Sequence, residues 1–394
     1  MSPRFRAVLA CVLAAVVASA CAHPDRRGGT LVAPVPTSTA PADSALVPPP
    51  LHAQPLWSAP FAAAPVVADD LFVGLVASPG GGHELVAVDG DGRTRWSTPV
   101  GGEGSRYTVA RAGERVLVVV LDSSPDHTTA SAYEAGSGQR VWGPTDVPGP
   151  LAGPGLVLAG PSGRVALDAA SGRVAVHEKP GTRVLQEHDG TVLVERDGAL
   201  RAVDAATGAE HWGPATLVAP DRLGGTGGKP RYRGEPGAAG VLFVEWTVGA
   251  PATPAVVGYS AHDLATGALV ADVPQAGGTA KALVDATTGV TLVFGPTADT
   301  LLTAVDGDNR RVLWQRPAGQ EPIAFAFAAN GVAYGTASAS GAQGTRSVAV
   351  DERTGEVRGE GRWRLPVAAL RSGVTLVPVA DPSGRDRFVA FRPR

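Results

Sequence analysis

The 394-residue chain has a formal net charge of −3, with 51 glycines, 34 prolines and two cysteines. The near-balanced charge gives no sign of a nucleic-acid-binding protein, because such proteins concentrate basic residues, so we expect no nucleic-acid partner. Many glycines and prolines indicate many turns, and abundant valine favours strands over long helices.

The first segment has the pattern of an export signal. Residues 7–20 are apolar except for one serine and follow two arginines. This run is too short to span a bilayer and fits a signal-peptide core. It ends in Ala18-Ser19-Ala20-Cys21, and small residues before a cysteine resemble the bacterial lipobox. We predict a signal peptide over residues 1–20 and a lipid on Cys21. The alternative is an ordinary signal peptide cut near Ala20.

The cysteine count supports lipidation. The other cysteine, Cys11, lies inside the predicted signal peptide, so the exported chain would contain one thiol and no disulfide. Residues 22–55 are proline-rich without apolar periodicity. We predict that residues 21–55 hold the lipid and an extended linker. The expected location is the outer face of the cell membrane, or the outer membrane of a Gram-negative cell.

From about residue 56 one pattern recurs. Apolar runs and turns are followed by Ala-x-Asp, another turn and often Trp. The clearest copy has Ala202, Asp204, Gly208 and Trp212. The other copies contain Ala87, Asp89 and Trp96; Ala132, Glu134 and Trp142; Ala166 and Asp168; Ala261, Asp263 and Gly267; Ala304, Asp306 and Trp314; Ala349, Asp351 and Gly355; and Ala390. Successive alanines are 45, 34, 36, 59, 43, 45 and 41 residues apart. This period matches the ~40–50 residues of a four-stranded propeller blade.

The chemistry of the motif residues suggests structural roles. Alanine fits where sheets approach closely, and the acid can accept N–H groups of the next turn. Glycine can adopt a positive φ, and Trp has a large surface to bury between blades. We therefore interpret these residues as structural.

The pattern Ala-x-Asp-x-x-Thr-Gly-x-x-x-Trp resembles the tryptophan-docking motif of the PQQ-like (quinoprotein) propeller repeats over roughly residues 56–394. The resemblance implies that Trp on each outer strand packs against the neighbouring blade. Val176 and Ala271 stand at two Trp positions, and Trp363 is shifted by four residues. Looser docking is expected at these three junctions.

The two ends of the repeat region complete each other. The chain ends on Val389-Ala390-Phe391 without a following Trp, and the repeats begin at Trp57 without a preceding Ala-x-Asp. We predict that Trp57 supplies the outer strand of the last blade and closes the ring. The expected fold is an all-β, eight-bladed propeller over residues 56–394, with seven blades as the alternative.

Motifs for catalysis and metal binding are missing. The sequence has no His-Glu-x-x-His, no zinc-binding cysteine pair and no Gly-x-Ser-x-Gly. The glycine-rich stretch 224–230 has the wrong spacing for a phosphate loop. The acidic turns at 89–92 and 306–309 lack the bidentate Glu of an EF-hand. The resemblance implies, for quinoprotein dehydrogenases, a vicinal cysteine pair that this chain lacks. We expect no cofactor, no metal and no enzymatic activity.

One segment departs from the repeat. The 59-residue spacing before Ala261 predicts an insertion around 213–237. Its basic and aromatic residues are Arg222, Lys229, Arg231, Tyr232 and Arg233. Guanidinium groups beside Tyr can contact an acidic partner or a polysaccharide. The alternative is a solvated surface loop.

Together these features favour a monomeric, membrane-anchored propeller that acts as a non-catalytic protein–protein interaction scaffold at the cell envelope. A protein partner in the envelope is therefore expected. The alternatives are a small-ligand or glycan binder that uses the central funnel and, more remotely, a quinone-dependent dehydrogenase.

Overall fold

Eight small antiparallel sheets make up the computed structural model of the chain. The structure describes residues 46–394 except 79–80, 102–104, 125, 222, 224–227, 233–239, 249–254, 274–280, 295–301, 308–310, 317–319, 339–343 and 381–385. Its first strand, β1 (Trp57–Ala59), belongs to the last sheet. No helix within the described residues has the length and apolar character needed to cross a membrane.

The first four sheets follow one another along the chain. Blade 1 contains β2 (Val66–Ala68), β3 (Leu71–Ala77), β4 (His83–Val88) and β5 (Thr94–Val100); blade 2 contains β6 (Arg106–Ala112), β7 (Arg115–Ser123), β8 (Thr128–Glu134) and β9 (Arg140–Val147); blade 3 contains β10 (Val157–Gly160), β11 (Gly163–Leu167) and β12 (Val174–His177); and blade 4 contains β13 (Thr182–His188), β14 (Thr191–Arg196), β15 (Ala199–Asp204) and β16 (Glu210–Trp212). A short 3-10 helix, Pro214–Thr216, follows blade 4.

The remaining four sheets complete the ring. Blade 5 contains β17 (Lys229–Tyr232), β18 (Val241–Val248), β19 (Ala255–Asp263) and β20 (Leu269–Val273); blade 6 contains β21 (Lys281–Val284), β22 (Val290–Phe294), β23 (Leu302–Asp306) and β24 (Val312–Arg316); blade 7 contains β25 (Ile323–Ala329), β26 (Val332–Ser338), β27 (Thr345–Asp351) and β28 (Val357–Gly361); and blade 8 contains β29 (Ala368–Ala369), β30 (Thr375–Ala380), β31 (Asp386–Phe391) and β1. Because successive strands of a blade are antiparallel, its first and third turns lie on the same face of the ring. We call this the turn face.

Blade 3 has three named strands. A single antiparallel bridge between Leu151 and Leu158 stands where the other blades have their innermost strand. The short spacing of 34 residues before Ala166 leaves less chain for this blade than the others have.

The repeated alanines occupy equivalent places on the third strand of each blade. All eight have a relative exposure of 0%. Each pairs directly with a residue of the outermost strand: Ala87 with Trp96, Ala132 with Trp142, Ala166 with Val176, Ala202 with Trp212, Ala261 with Ala271, Ala304 with Trp314, Ala349 with Gly359 and Ala390 with Trp57. This register confirms the prediction of eight blades, and the seven-bladed alternative is wrong.

Ring closure occurs in blade 8, where β1 pairs with β31 from the other end of the chain. Trp57 lies opposite Ala390, and Ser58 lies opposite Val389. The pairing removes the open edge that β31 would otherwise present to solvent. The predicted clasp is confirmed.

Residues 46–55, which the sequence assigned to the linker, pack against blade 8. Val47 and Leu51 are 6% and 2% exposed and share a core cluster with Val377 and Phe391. The backbone N–H of His52 donates to the carbonyl oxygen of Arg392 at 2.9 Å. The folded region therefore begins by residue 46 and not at 56. The predicted signal peptide over 1–20, Cys21 and the predicted linker up to residue 45 lie outside the described residues.

The core is distributed between neighbouring blades. One cluster joins Trp57, Phe61 and Phe388 of the closing region to Phe72 of blade 1. The rings of Trp57 and Phe72 meet edge to face, with centroids 5.8 Å apart. Burial at the junctions therefore fixes each blade against the next.

Candidate functional site

The third turn of most blades receives an indole from the preceding blade. At the first junction, Trp96 of blade 1 donates its Nε1–H to the carbonyl oxygen of Ala135 in blade 2 at 2.7 Å. Its ring covers Gly138 so closely that a Cβ there would lie 2.5 Å from the indole. We call this carbonyl together with its glycine a tryptophan dock. The filled docks join Trp57 to Gly90 (2.9 Å), Trp96 to Ala135 (2.7 Å), Trp142 to Ala169 (2.8 Å), Trp212 to Leu264 (2.8 Å) and Trp314 to Glu352 (2.7 Å).

The acid of each repeat shapes the dock that follows it. Oδ1 of Asp204 accepts both the backbone N–H and the hydroxyl of Thr207, each at 2.7 Å. The hydroxyl of Thr207 is the main reason why the pKa of Asp204 lies below its usual value. The turn then needs a left-handed residue, and Gly208 has φ +71°. The acidic and glycine positions thus build a receptor for the indole.

Two of the three junctions without a docked Trp can be described. At the dock of blade 4, the preceding outer strand carries Val176, Gly208 is exposed, and no described atom lies within 4 Å of a Cβ placed on it. At the junction of blades 7 and 8, Gly359 takes the Trp position, and Pro49 packs over it. For the blade 6 dock, opposite Ala271, residues 308–310 lie outside the described part.

Trp363, which the sequence placed four residues beyond a Trp position, stays within its own blade. It is 6% exposed, and its ring meets Tyr334 edge to face with centroids 6.1 Å apart. Gly359 and not Trp363 therefore faces the next blade.

The innermost strands enclose a central channel, and its described lining surrounds a cavity of about 730 Å³. The 730 Å³ cavity is lined by blades 1, 2, 6, 7 and 8. Both charge signs occur there: Asp70 accepts the backbone N–H of Arg371 at 2.8 Å, and Arg111 forms an ion pair with Asp189 at 3.4 Å. The channel mouth is therefore polar and of mixed charge.

A buried carboxyl pair lies beside the channel between blades 6 and 7. Asp285 and Glu352 are both 0% exposed. Oδ2 of Asp285 accepts the N–H of Gly331 at 2.9 Å, and Oδ1 accepts the hydroxyl of Thr287 at 2.6 Å. Glu352 accepts the hydroxyl of Thr288 at 3.1 Å and hydrogen bonds Asp285.

The two carboxyl groups have opposite protonation at neutral pH. Burial, and then the charge of Asp285, raise the pKa of Glu352 to about 9. Burial also acts to raise the pKa of Asp285, but hydrogen bonds from Gly331 and Thr287 outweigh it and lower that pKa. Protonated Glu352 therefore donates to ionised Asp285. The pair supports the dock in which the carbonyl oxygen of Glu352 accepts the indole of Trp314.

A second buried polar chain lies in blade 5. Trp246 donates to Oγ of Ser260 at 2.6 Å, and Ser260 lies 2.8 Å from Nε2 of His262. Nδ1 of His262 donates to the carbonyl oxygen of Gly267 at 3.0 Å. Burial lowers the pKa of His262 to about 4, so the imidazole is neutral. Ser260 and His262 are 0% exposed and both ring nitrogens are occupied, so this pair fixes the glycine beneath Trp212 and does not face a substrate.

The residues predicted to form a basic binding loop occupy a different place. Lys229, Arg231 and Tyr232 lie in β17, the innermost strand of blade 5. Lys229 and Arg231 are exposed, and Tyr232 packs partly against the core. Alternating charged residues on a strand beside the channel look like a loop in sequence, which explains the difference. Arg222 and Arg233 lie outside the described residues.

The channel does not fit the quinone and calcium of quinoprotein dehydrogenases. The only cysteines of the chain are Cys11 and Cys21, so no vicinal pair is available. Asp285 is enclosed, with its oxygens taken by Gly331 and Thr287. In the part of the chain that the structure describes, no three His, Cys, Asp or Glu side chains are grouped to hold a metal ion.

Comparison with known proteins gives one matching family and several similar solved structures. The family described as outer membrane protein assembly factor BamB matches residues 46–175 and 196–389. No curated protein matches the chain. Three similar solved structures are the computationally designed Ika8 protein (14% identity, 86% of this chain and 98% of that chain, TM-score 0.44), the dihydro-heme d1 dehydrogenase NirN in complex with DHE (17%, 82% and 74%, 0.45) and the mitotic checkpoint complex (11%, 87% and 92%, 0.39). The family match begins at the first described residue and reaches into all eight blades.

Proposed function

The chain belongs to the family described as outer membrane protein assembly factor BamB, and we propose from this premise that it is a non-catalytic protein–protein interaction scaffold of the cell envelope. The observation that carries the proposal is the closed ring with indole docks between its blades. Such a ring holds many exposed turns in fixed relative positions, and rigid scaffolds that display loops are suited to recognition.

The polar groups of the described interior support this function. The pair of Asp285 and Glu352 and the chain from Trp246 to His262 hold turns in place and have no exposed reactive atom. Their chemistry stabilises the surface that the turns present. A scaffold requires this rigidity, because a preformed surface loses less conformational entropy when it binds.

The anchor is the second part of the proposal. The lipobox-like sequence before Cys21 supports lipidation, which would place the propeller on a membrane surface. With a lipid on Cys21 and the fold beginning by residue 46, 24 residues (22–45) would separate the anchor from the propeller. An extended proline-rich tether of that length reaches roughly 75 Å at about 3.1 Å per residue. In a cell with an outer membrane, the family description points to assembly of outer-membrane proteins as the process served.

Affinity purification of the full chain from its native membranes tests this function. Cys21→Ser is the matched control, because it removes the lipid acceptor and leaves the propeller unchanged. We expect one envelope protein to co-purify with the wild-type chain and to be depleted with Cys21→Ser. Recovery of the same proteins with an unrelated lipoprotein would contradict the scaffold function.

Ligand binding in the channel is a second candidate, favoured by the cavity of about 730 Å³. Small-molecule sites span roughly 300–1,000 Å³. Arg111 and Arg371 contribute cationic groups to this lining. Saturable calorimetric titration with acidic oligosaccharides, lost in Arg111→Ala, would support this candidate, and flat titrations would remove it.

A further inference from the structure

The dock of blade 4 has every part of a filled dock except the indole. The acid Asp204 holds the turn through Thr207, and Gly208 has φ +71°. The carbonyl oxygen of Ala205 corresponds to the acceptor of the filled docks, because it also follows the acid by one residue, and Ala205 is 4% exposed beside Val176. No hydrogen bond to that oxygen comes from any described residue, since Ala205 uses only its N–H, which donates to Gly190.

The filled docks show what is missing. The glycines beneath an indole are buried or half-buried, as Gly172 is under Trp142 and Gly138 under Trp96. Gly208 is instead exposed, and the space above it is free of described atoms to 4 Å. Val176 occupies the Trp position opposite Ala166, and its side chain is too short to cover the glycine.

An indole that fills this dock would have to come from another molecule. All seven tryptophans of the chain lie in the described residues. Five fill docks, and the other two, Trp246 and Trp363, are 2% and 6% exposed. A second copy of this chain therefore offers no indole either.

The rim of the dock adds a charge preference. The side chains of Asp204 and Glu210 are 32% and 43% exposed. Glu210 pairs with Arg201 at 2.6 Å, and His211 lies 3.8 Å from Asp204. The two carboxylates outnumber the one guanidinium of Arg201, and this excess of negative charge favours basic residues beside the incoming indole.

We infer that the dock of blade 4 is a binding site for a tryptophan side chain of a partner protein, flanked there by lysine or arginine. The indole N–H donates to the carbonyl oxygen of Ala205, and the ring covers Gly208. This inference rests on the proposed scaffold function for the existence of a partner, whereas the site itself can be tested on the purified chain.

The test uses the peptide acetyl-Lys-(5-fluoro-Trp)-Lys-amide, observed by fluorine NMR in the presence of the full chain in detergent. We expect the resonance to broaden with the wild-type chain. Val176→Trp fills the dock from within and should weaken the binding at least tenfold, while Val357→Trp, on an exposed outer strand away from this dock, should leave it unchanged. Equal binding to the wild type and Val176→Trp, or no binding to the wild type, would overturn the inference.

Trp96→Val decides the question if Val176→Trp does not fold. This substitution empties the dock of blade 2 formed by Ala135 and Gly138, so the number of peptides bound should rise by one. An unchanged stoichiometry would overturn the inference. Co-purification of a partner without peptide binding would refute only the inference that the dock of blade 4 binds tryptophan. Peptide binding without any co-purified partner would refute only the proposed scaffold function.

Discussion

The indole nitrogen of Trp57 lies 2.9 Å from the carbonyl oxygen of Gly90, so the first strand of the propeller completes the last blade and locks it to the first. The same dock joins blades elsewhere in the ring. Closure therefore needs no special device. The ring closes through one more docked tryptophan, Trp57, whose outer strand comes from the opposite end of the repeat region.

Removal of this indole should loosen the ring. Trp57 is 3% exposed, and large-to-small substitution of a buried Trp costs about 3–5 kcal/mol. We expect Trp57→Ala to lower the free energy of unfolding in urea by about that amount. Val357→Ala on an exposed outer strand is the control and should change it by less than about 0.5 kcal/mol. Equal effects of the two substitutions would contradict the clasp.

Two left-handed glycines in the third turns of their blades separate backbone strain from indole contact. Gly92 has φ +82° and Gly208 has φ +71°, so alanine is strained at both, by about 1–2 kcal/mol. A Cβ on Gly92 would also lie 2.6 Å from the ring of Trp57, whereas no described atom lies within 4 Å of a Cβ on Gly208. Overpacking should add about 1–3 kcal/mol to the cost of Gly92→Ala. Urea unfolding of both variants measures the difference, and equal costs would refute the account of the dock.

The segment before β1 should contribute to stability. Leu51 is 2% exposed against Val377 and Phe391, while Leu46 is 44% exposed. Leu51→Ala should therefore cost about 2–5 kcal/mol, and Leu46→Ala provides the matched control with little effect. Thermal unfolding distinguishes them. Two equally small effects would show that this segment is only a tether.

The buried carboxyl pair predicts a pH dependence. Glu352 has a pKa of about 9 in the fold, while an unfolded Glu ionises near its ordinary value, so folding takes up a proton between these limits. The contribution of Glu352 to the free energy of unfolding therefore falls as pH rises, by up to about 1.4 kcal/mol per pH unit. Glu352→Gln keeps a donor for Asp285 and removes the proton uptake.

The stability of Glu352→Gln relative to the wild type should accordingly increase from pH 5 to pH 9. Glu356→Gln, an exposed change in the same turn, should show no such trend. Urea unfolding at several pH values provides the measurement. A difference between Glu352→Gln and the wild type that is constant with pH would show that Glu352 is ionised in the fold.

Most of the fold can be predicted from the repeat pattern of the sequence. Alanine at 0% exposure, a turn-forming acid and a left-handed glycine are local requirements, so they recur at fixed spacing and can be read from sequence. Closure was also predictable, because Trp57 and Ala390 are the two halves of one repeat.

The remaining features depend on contacts between blades. Glu352 follows the turn-forming acid Asp351 and looks like a surface residue, yet Thr288 and Asp285 of the preceding blade enclose it. Residues 46–55 look like a linker because prolines interrupt their apolar positions. The open dock at Gly208 becomes visible only when its neighbour Val176 is seen beside it.

Photo-crosslinking in native membranes tests the scaffold function most directly. A benzophenone amino acid replaces Thr207 on the turn face, Asp197 on the opposite face, or Val357 on an outer strand, all of which are exposed. We expect one discrete adduct with an envelope protein from Thr207 and none from the other two positions. The absence of an adduct at all three positions, or the same ladder from each, would contradict a scaffold with a defined binding face.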